Sequence, residues 1–160
     1  MVKTLVLFTA IVWIVVIDVY PPMLSDLELF IRSTCINENV PYEMVKRLIT
    51  KESNWDTQCI SYNKKKGRII STDIGLMQIN SRYSDEHISK YKDLKKEVHD
   101  YNLFDPYDNI TIGIRLLKDL KLRLGTWEKA VQAYNCGATA VLMGKVPYTT
   151  KIYTKYVLNY

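Results

Sequence analysis

The chain is read as a mainly α protein, and three observations carry that reading. Apolar residues recur at helical spacing in its longer segments, helix-capping signals stand at the starts of those segments, and no stretch shows a convincing strand alternation. With 160 residues, the part beyond the N-terminal segment is long enough for one domain around one core. The expected product is a globular helical domain with polar loops and a cleft, over residues 23–160.

The first twenty-two residues are set apart. Lys3 precedes an apolar run from Leu5 to Ile17, followed by Asp18 and the pair Pro21 and Pro22. The run is shorter than the roughly 18 to 20 residues that a membrane-spanning helix needs, and it has no polar face, as in a signal peptide. The bulky flank Ile17, Asp18, Val19, Tyr20 offers no small-x-small cleavage site, so an uncleaved N-terminal anchor is the other reading of residues 1–22. Both imply export through a membrane.

The first helix of the domain is expected from Ser25 and Glu28, which form a capping box, through about Ile36. Residues 37–40 connect to a second helix begun by Pro41, whose missing N–H is no loss in a first turn. Residues 56–72, polar and basic with Gly67, read as a surface loop. Residues 73–80 read as a short helix, and 81–102 as a polar region with one helix near 93–98. Asp105, Pro106, Tyr107 and Asp108 form a turn, after which Ile110, Ile114, Leu117 and Leu120 mark a helix that Gly125 closes. Thr126 caps the next helix, which Gly137 ends, and Pro147 precedes a last one bearing Ile152, Tyr153, Tyr156 and Val157.

One residue breaks the pattern. In the second helix Val45, Leu48 and Ile49 define the apolar face, and the same spacing places Glu52 on it. A carboxyl buried among apolar groups has its pKa raised, which keeps it protonated near neutral pH as a general acid requires. The competing reading is a surface pair with Lys51 or Arg47 at the helix end.

Charge and cysteine usage exclude more than they identify. The net charge of +5 comes from dispersed lysines with short runs at 64–66 and 95–96, a surface drawn to an anionic polymer rather than a nucleic-acid footprint. Cys35, Cys59 and Cys136 have no metal-ligand spacing, and His87 and His99 stand alone, so no metal is expected. A Cys35 to Cys59 bridge is conceivable, since the two flank the Glu52 helix.

Taken in order, Glu52-Ser53-Asn54-Trp55, Ser61, Gly75-Leu76-Met77-Gln78-Ile79-Asn80, Ala133-Tyr134-Asn135-Cys136-Gly137 and the stretch 147–157 resemble the motifs of the lytic transglycosylase catalytic domain. The similarity spans roughly residues 29–158 and is nearest to small single-domain transglycosylases associated with secretion systems or phage particles. It implies a lysozyme-like fold with a glycan-binding cleft, no cofactor, peptidoglycan strands as partner, a secretion-system or phage assembly as setting, and a monomer. No nucleic acid is expected, and membrane contact only through the N-terminal segment.

The resemblance also implies roles. Glu52 is the single acid/base that cleaves between N-acetylmuramic acid and N-acetylglucosamine and leaves 1,6-anhydromuramic ends. Ser61 contacts the sugar, Gln78 bonds substrate or the backbone around Glu52, and Met77 forms an apolar wall beside the acid. Tyr134, with Asn135, reaches across the cleft to orient the carboxylate, and Tyr153 contacts the sugar or Glu52. Each also has a plainer reading, as loop serine, core methionine or packing tyrosine. Asp73 is open between helix cap and the second carboxylate of a goose-type-lysozyme-like hydrolase; a glycan-binding module without catalysis is the remaining alternative.

Overall fold

The computed structural model describes residues 25–82 and 101–159. The N-terminal segment, the helix expected near 93–98, and both histidines lie outside the described residues. Element order is α1 (Asp26–Glu38), α2 (Tyr42–Glu52), β1 (Ile60–Lys65), β2 (Arg68–Ile74), β3 (Ile79–Asn80), α3 (Pro106–Leu124), α4 (Trp127–Cys136), α5 (Ala138–Leu142) and α6 (Tyr148–Leu158).

The capping signals place the helices. Ser25 accepts the Glu28 N–H at 3.2 Å, and Thr126 accepts the Lys129 N–H at 3.2 Å, each satisfying an orphan donor of a first turn. Asp105, expected in a turn, is the N-cap of α3: it accepts the N–H groups of Tyr107 and Asp108, so the helix begins at Pro106, four residues before the apolar stripe. Pro41 stands one place outside α2, as its N-cap. Asn39 and Gly125 end α1 and α3 in the left-handed conformation.

Helices α1, α2, α3 and α6 meet in one core, with Ile31, Val45, Leu48, Ile49, Ile110, Ile114, Leu117 and Val157 at its centre. A smaller cluster of Leu120, Ala130 and Ala133 joins α3 to α4. Burial of these side chains, on the order of 1.5–3 kcal/mol each, supplies the rigidity against which the site is set.

Two expectations are corrected in the middle of the chain. Residues 56–72 are not simply loop, because β1 and β2 form an antiparallel hairpin to which β3 adds a third strand. Most hairpin side chains are exposed on both faces, which removes the alternation that reveals a strand. Nor do residues 73–80 form a helix. Asp73 and Ile74 end β2, Gly75 at φ 75° and Gln78 at φ 47° turn the chain, and Ile79 begins β3.

Candidate active site

Glu52 is the last residue of α2, whose buried face is Met44, Val45, Leu48 and Ile49. The helix stops there because Asn54 and Trp55 both take positive φ, at 51° and 68°. The Trp55 indole N–H donates back to Thr50 Oγ1 at 3.0 Å and fixes this exit. The Glu52 carboxyl therefore stands at a helix end, half-buried, at the edge of the core.

Neither neighbouring cation turns to it. Arg47 Nε donates to the Val157 carbonyl at 2.8 Å, and Lys51 lies over the Tyr156 ring, 4.9 Å from its centroid. The surface salt-bridge reading is thereby overturned. Instead Tyr153, from the buried face of α6, donates its hydroxyl to Glu52 Oε1 in a short hydrogen bond. Burial pushes the Glu52 pKa up to about 7; the Tyr153 bond opposes this, and the negative charge of Asp73 adds to it.

The opposite wall is the sheet. Ser61 pairs with Asp73 across β1 and β2, and Asp73 pairs with Asn80 across β2 and β3. Asp73 does not cap a helix. Its two oxygens accept from Asn63 Nδ2 at 2.8 Å and Asn80 Nδ2 at 2.6 Å. A β-bulge after Asn63 shifts the register, and pairing resumes with Lys64 opposite Ile69.

The turn between β2 and β3 is clamped from α3. Asn109, fully buried, accepts the Met77 N–H at 2.8 Å and donates to the carbonyls of Ile74 at 2.8 Å and Leu103 at 2.9 Å. A Cβ at Gly75 would stand 2.3 Å from Asn109 Nδ2, so only glycine admits this clamp. One turn along α3, a Cβ on Gly113 would stand 2.4 Å from Met77 Sδ. Met77 thus packs into the groove left by a missing side chain. It is wholly buried with its side chain toward α3, and it is not among the residues that line the cleft.

Gln78 lines the cleft, and the expected bond to the backbone around Glu52 is not made. Its Nε2 donates to the carbonyls of Cys59 at 3.1 Å and Gly75 at 3.0 Å, tying the turn to the start of β1 rather than to the backbone around Glu52. Tyr134 donates to the Met77 carbonyl at 2.6 Å and not to Glu52. Its phenol is held well above its ordinary pKa by burial and by the charges of Glu52 and Asp73. Asn135 Oδ1 accepts from Thr150 at 2.7 Å, linking α4 to the first turn of α6.

Between the walls lies a cleft of about 730 Å³ that brings together Glu52, Ser61, Asp73, Gln78, Tyr134 and Asn135. Leu116, Leu120 and Ala133 form its apolar floor, with Arg82 and Arg123 also lining it. Of the expected site residues, Met77 and Tyr153 stand behind the surface rather than on it. A second cavity of about 690 Å³, beside Cys35, Glu38 and Trp127, holds none of the motif residues.

Asn109 was missed by sequence reasoning, though a signal exists: it falls in phase with Gly113, Leu117 and Leu120 as a polar residue on the buried stripe, as Glu52 does on α2. Asn63 and Asn80 had no such signal. All three cysteines are free, so no Cys35 to Cys59 bridge is formed. Among the described residues no group of three or more His, Cys, Asp or Glu gathers to hold a metal.

The transglycosylase SLT domain model matches residues 29–153. The chain belongs to the SLT family of lytic transglycosylases. Curated relatives include a peptidoglycan-binding-like protein of Escherichia coli O157:H7, 32% identical over 134 residues, covering 79% of this chain and 78% of the relative. Invasion protein IagB of Salmonella typhimurium is 31% identical over 120 residues, or 74% of this chain and 69% of that protein.

Solved structures place the lysozyme-like fold. An inactive mutant of lytic transglycosylase Slt from Pseudomonas aeruginosa superposes with a TM-score of 0.65 at 18% identity, covering 81% of this chain. The 70 kDa soluble lytic transglycosylase of Escherichia coli gives 0.64 at 20% identity, with the same 81% coverage. The chain spans 22% of the length of each, so it corresponds to one part of those larger proteins.

Proposed function

We propose that this SLT-family protein cleaves the β-1,4 bond between N-acetylmuramic acid and N-acetylglucosamine in peptidoglycan, using Glu52 as acid and then base. The observation that carries the proposal is the state of Glu52: its pKa, raised to about 7 by burial, leaves a useful protonated fraction at neutral pH while the carboxyl opens on the cleft.

The protonated Glu52 donates its proton to the glycosidic oxygen as the bond to the anomeric carbon breaks, and the glucosamine leaves with a free 4-hydroxyl. Positive charge at that carbon is met by the substrate's own acetamido group. The muramic 6-hydroxyl then attacks the anomeric carbon and gives its proton to the Glu52 carboxylate, which restores the acid and closes the 1,6-anhydro ring. No water is consumed, and the intramolecular attack benefits from proximity.

The remaining residues bind and position. Tyr153 fixes the Glu52 carboxyl through its hydroxyl. Ser61 and Asn135, both on the cleft, contact the sugars, with the Asn135 side chain held by Thr150. Tyr134, Gln78 and Met77 act through the backbone of the turn they secure. The substrate lies outside the cytoplasm, so the apolar run at residues 5–17 is read as the export signal or anchor.

A second reading has its own observation. Asp73 sits in the same cleft, in a polar hydrogen-bonded setting, while Glu52 is in an apolar one, the division of environments that lets two carboxyls take two roles in hydrolysis. Mass spectrometry of fragments released from purified glycan strands separates the two. Anhydromuramic ends are expected; reducing ends would replace the transglycosylase by the hydrolase.

A further inference from the structure

The outer face of α6 carries an arrangement that the cleft does not use. Tyr148, Ile152 and Tyr156 stand one turn apart on one side of the helix and are 76%, 49% and 43% exposed. By helical geometry their stripe lies roughly 150° round from the face of Thr150, Tyr153 and Val157 that packs inward and reaches Glu52. Lys151 and Lys155 flank the stripe, and Lys51 of α2 lies over the Tyr156 ring. No Asp or Glu follows Glu128 anywhere in the sequence.

We propose that this face of α6 docks the protein on an anionic lipid surface. Tyrosines and an aliphatic side chain flanked by lysines make an interfacial helix: the rings and Ile152 enter the headgroup boundary while the ammonium groups meet lipid phosphates. Charge distinguishes this face from the exposed apolar positions of α1. On α1, Leu29 and Ile36 are exposed among Asp26, Glu28 and Glu38, which an anionic surface repels. Docking through α6 leaves Glu52 and the cleft turned away from the lipid. The proposal is independent of which end group the cleavage leaves.

The test uses the full chain, so that any hold by residues 1–24 is common to every variant. Tyr148→Trp adds an indole to this face, and the emission it adds over the parent protein is followed with vesicles containing brominated lipids. With vesicles of one-third phosphatidylglycerol the added emission is expected to shift blue and be quenched; with pure phosphatidylcholine it is not. Lys151→Glu with Lys155→Glu is expected to weaken the anionic response by roughly tenfold or more, as does high salt, while cleavage of soluble glycan fragments and circular dichroism stay unchanged.

Equal quenching in both vesicle types, or none in either, would overturn the proposal. So would loss of retention on insoluble glycan in Ile152→Ser with Tyr156→Ser, made in the Tyr148→Trp background, at unchanged vesicle response, which would assign the face to the polysaccharide.

Discussion

The two walls of the cleft each present a carboxyl, and they handle it in opposite ways. On the helical wall Glu52 comes from the edge of the core, with one hydrogen-bond donor and a pKa raised to about 7. On the sheet wall Asp73 receives two amide donors, one on each oxygen, from Asn63 on the largely exposed β1 and from Asn80 on β3. The difference teaches that each carboxyl is set by its supporting material: an apolar core raises the pKa of Glu52, and the sheet holds Asp73 in place through two amides.

The largest expected effect removes the acid. Glu52→Gln is expected to lower release of soluble muropeptides by about 10²- to 10⁴-fold while retaining binding to glycan strands in a pull-down. Activity near that of the parent would erase the contrast between the walls.

Next comes the clamp that holds them together. Asn109→Ala removes three hydrogen bonds at a buried position and leaves the Met77 N–H and two carbonyls unpaired, so stability should fall by about 3 kcal/mol in chemical denaturation. A loss below about 1 kcal/mol would mean the turn is held by its other contacts.

Burial of Glu52 also has a signed consequence for folding. Its folded pKa, about 7, lies above the ordinary 4.5, so the native state binds the extra proton and stability declines as pH rises between those values. Glu52→Gln is therefore expected to stabilise the protein above pH 7 by up to about 3 kcal/mol and to have little effect below pH 4.5. Thermal unfolding at pH 4 and pH 8 checks this; a gain of equal size at both would exclude ionisation as its cause.

The smallest effect sharpens the comparison most. The charge of Asp73 raises the Glu52 pKa and the Tyr153 bond lowers it. Activity that needs protonated Glu52 falls as pH rises through that value, so Asp73→Asn should move the falling limb to lower pH and Tyr153→Phe to higher pH. Opposite displacements in pH profiles are the expected result. A collapse of turnover in Asp73→Asn at every pH, with reducing ends from the parent enzyme, would give Asp73 the role of second carboxylate.

The helical wall was far more legible in the sequence than the sheet wall, for a physical reason. Val45, Leu48, Ile49 and the misplaced Glu52 repeat at helical spacing because one face of α2 is buried. The caps at Ser25 and Thr126 were equally readable. The hairpin has no such contrast, since Ile60, Tyr62, Ile69 and Ile70 are exposed apolar residues among lysines, and its strands passed for loop. The turn after it misled in the other direction. Ile74, Leu76, Met77 and Ile79 are apolar at spacings a short helix allows, while the left-handed residues Gly75 and Gln78 forbid one. The motifs of the family named five of the residues that meet in one cleft, but not their bonding: that Tyr134 holds a backbone carbonyl, and that Gln78 braces β1, depends on chain paths that only the fold supplies.

The contact between Met77 and Gly113 has a consequence for how this protein can change over generations. The thioether occupies the volume that any side chain at position 113 would need, so the two sites share one allotment of space across two elements. A larger residue on α3 becomes acceptable only after position 77 has shrunk, and the intermediate with both large is blocked by collision. Drift at this pair must therefore follow an order, and the turn between β2 and β3 inherits its sequence restraint from a position on α3 that lies outside the cleft.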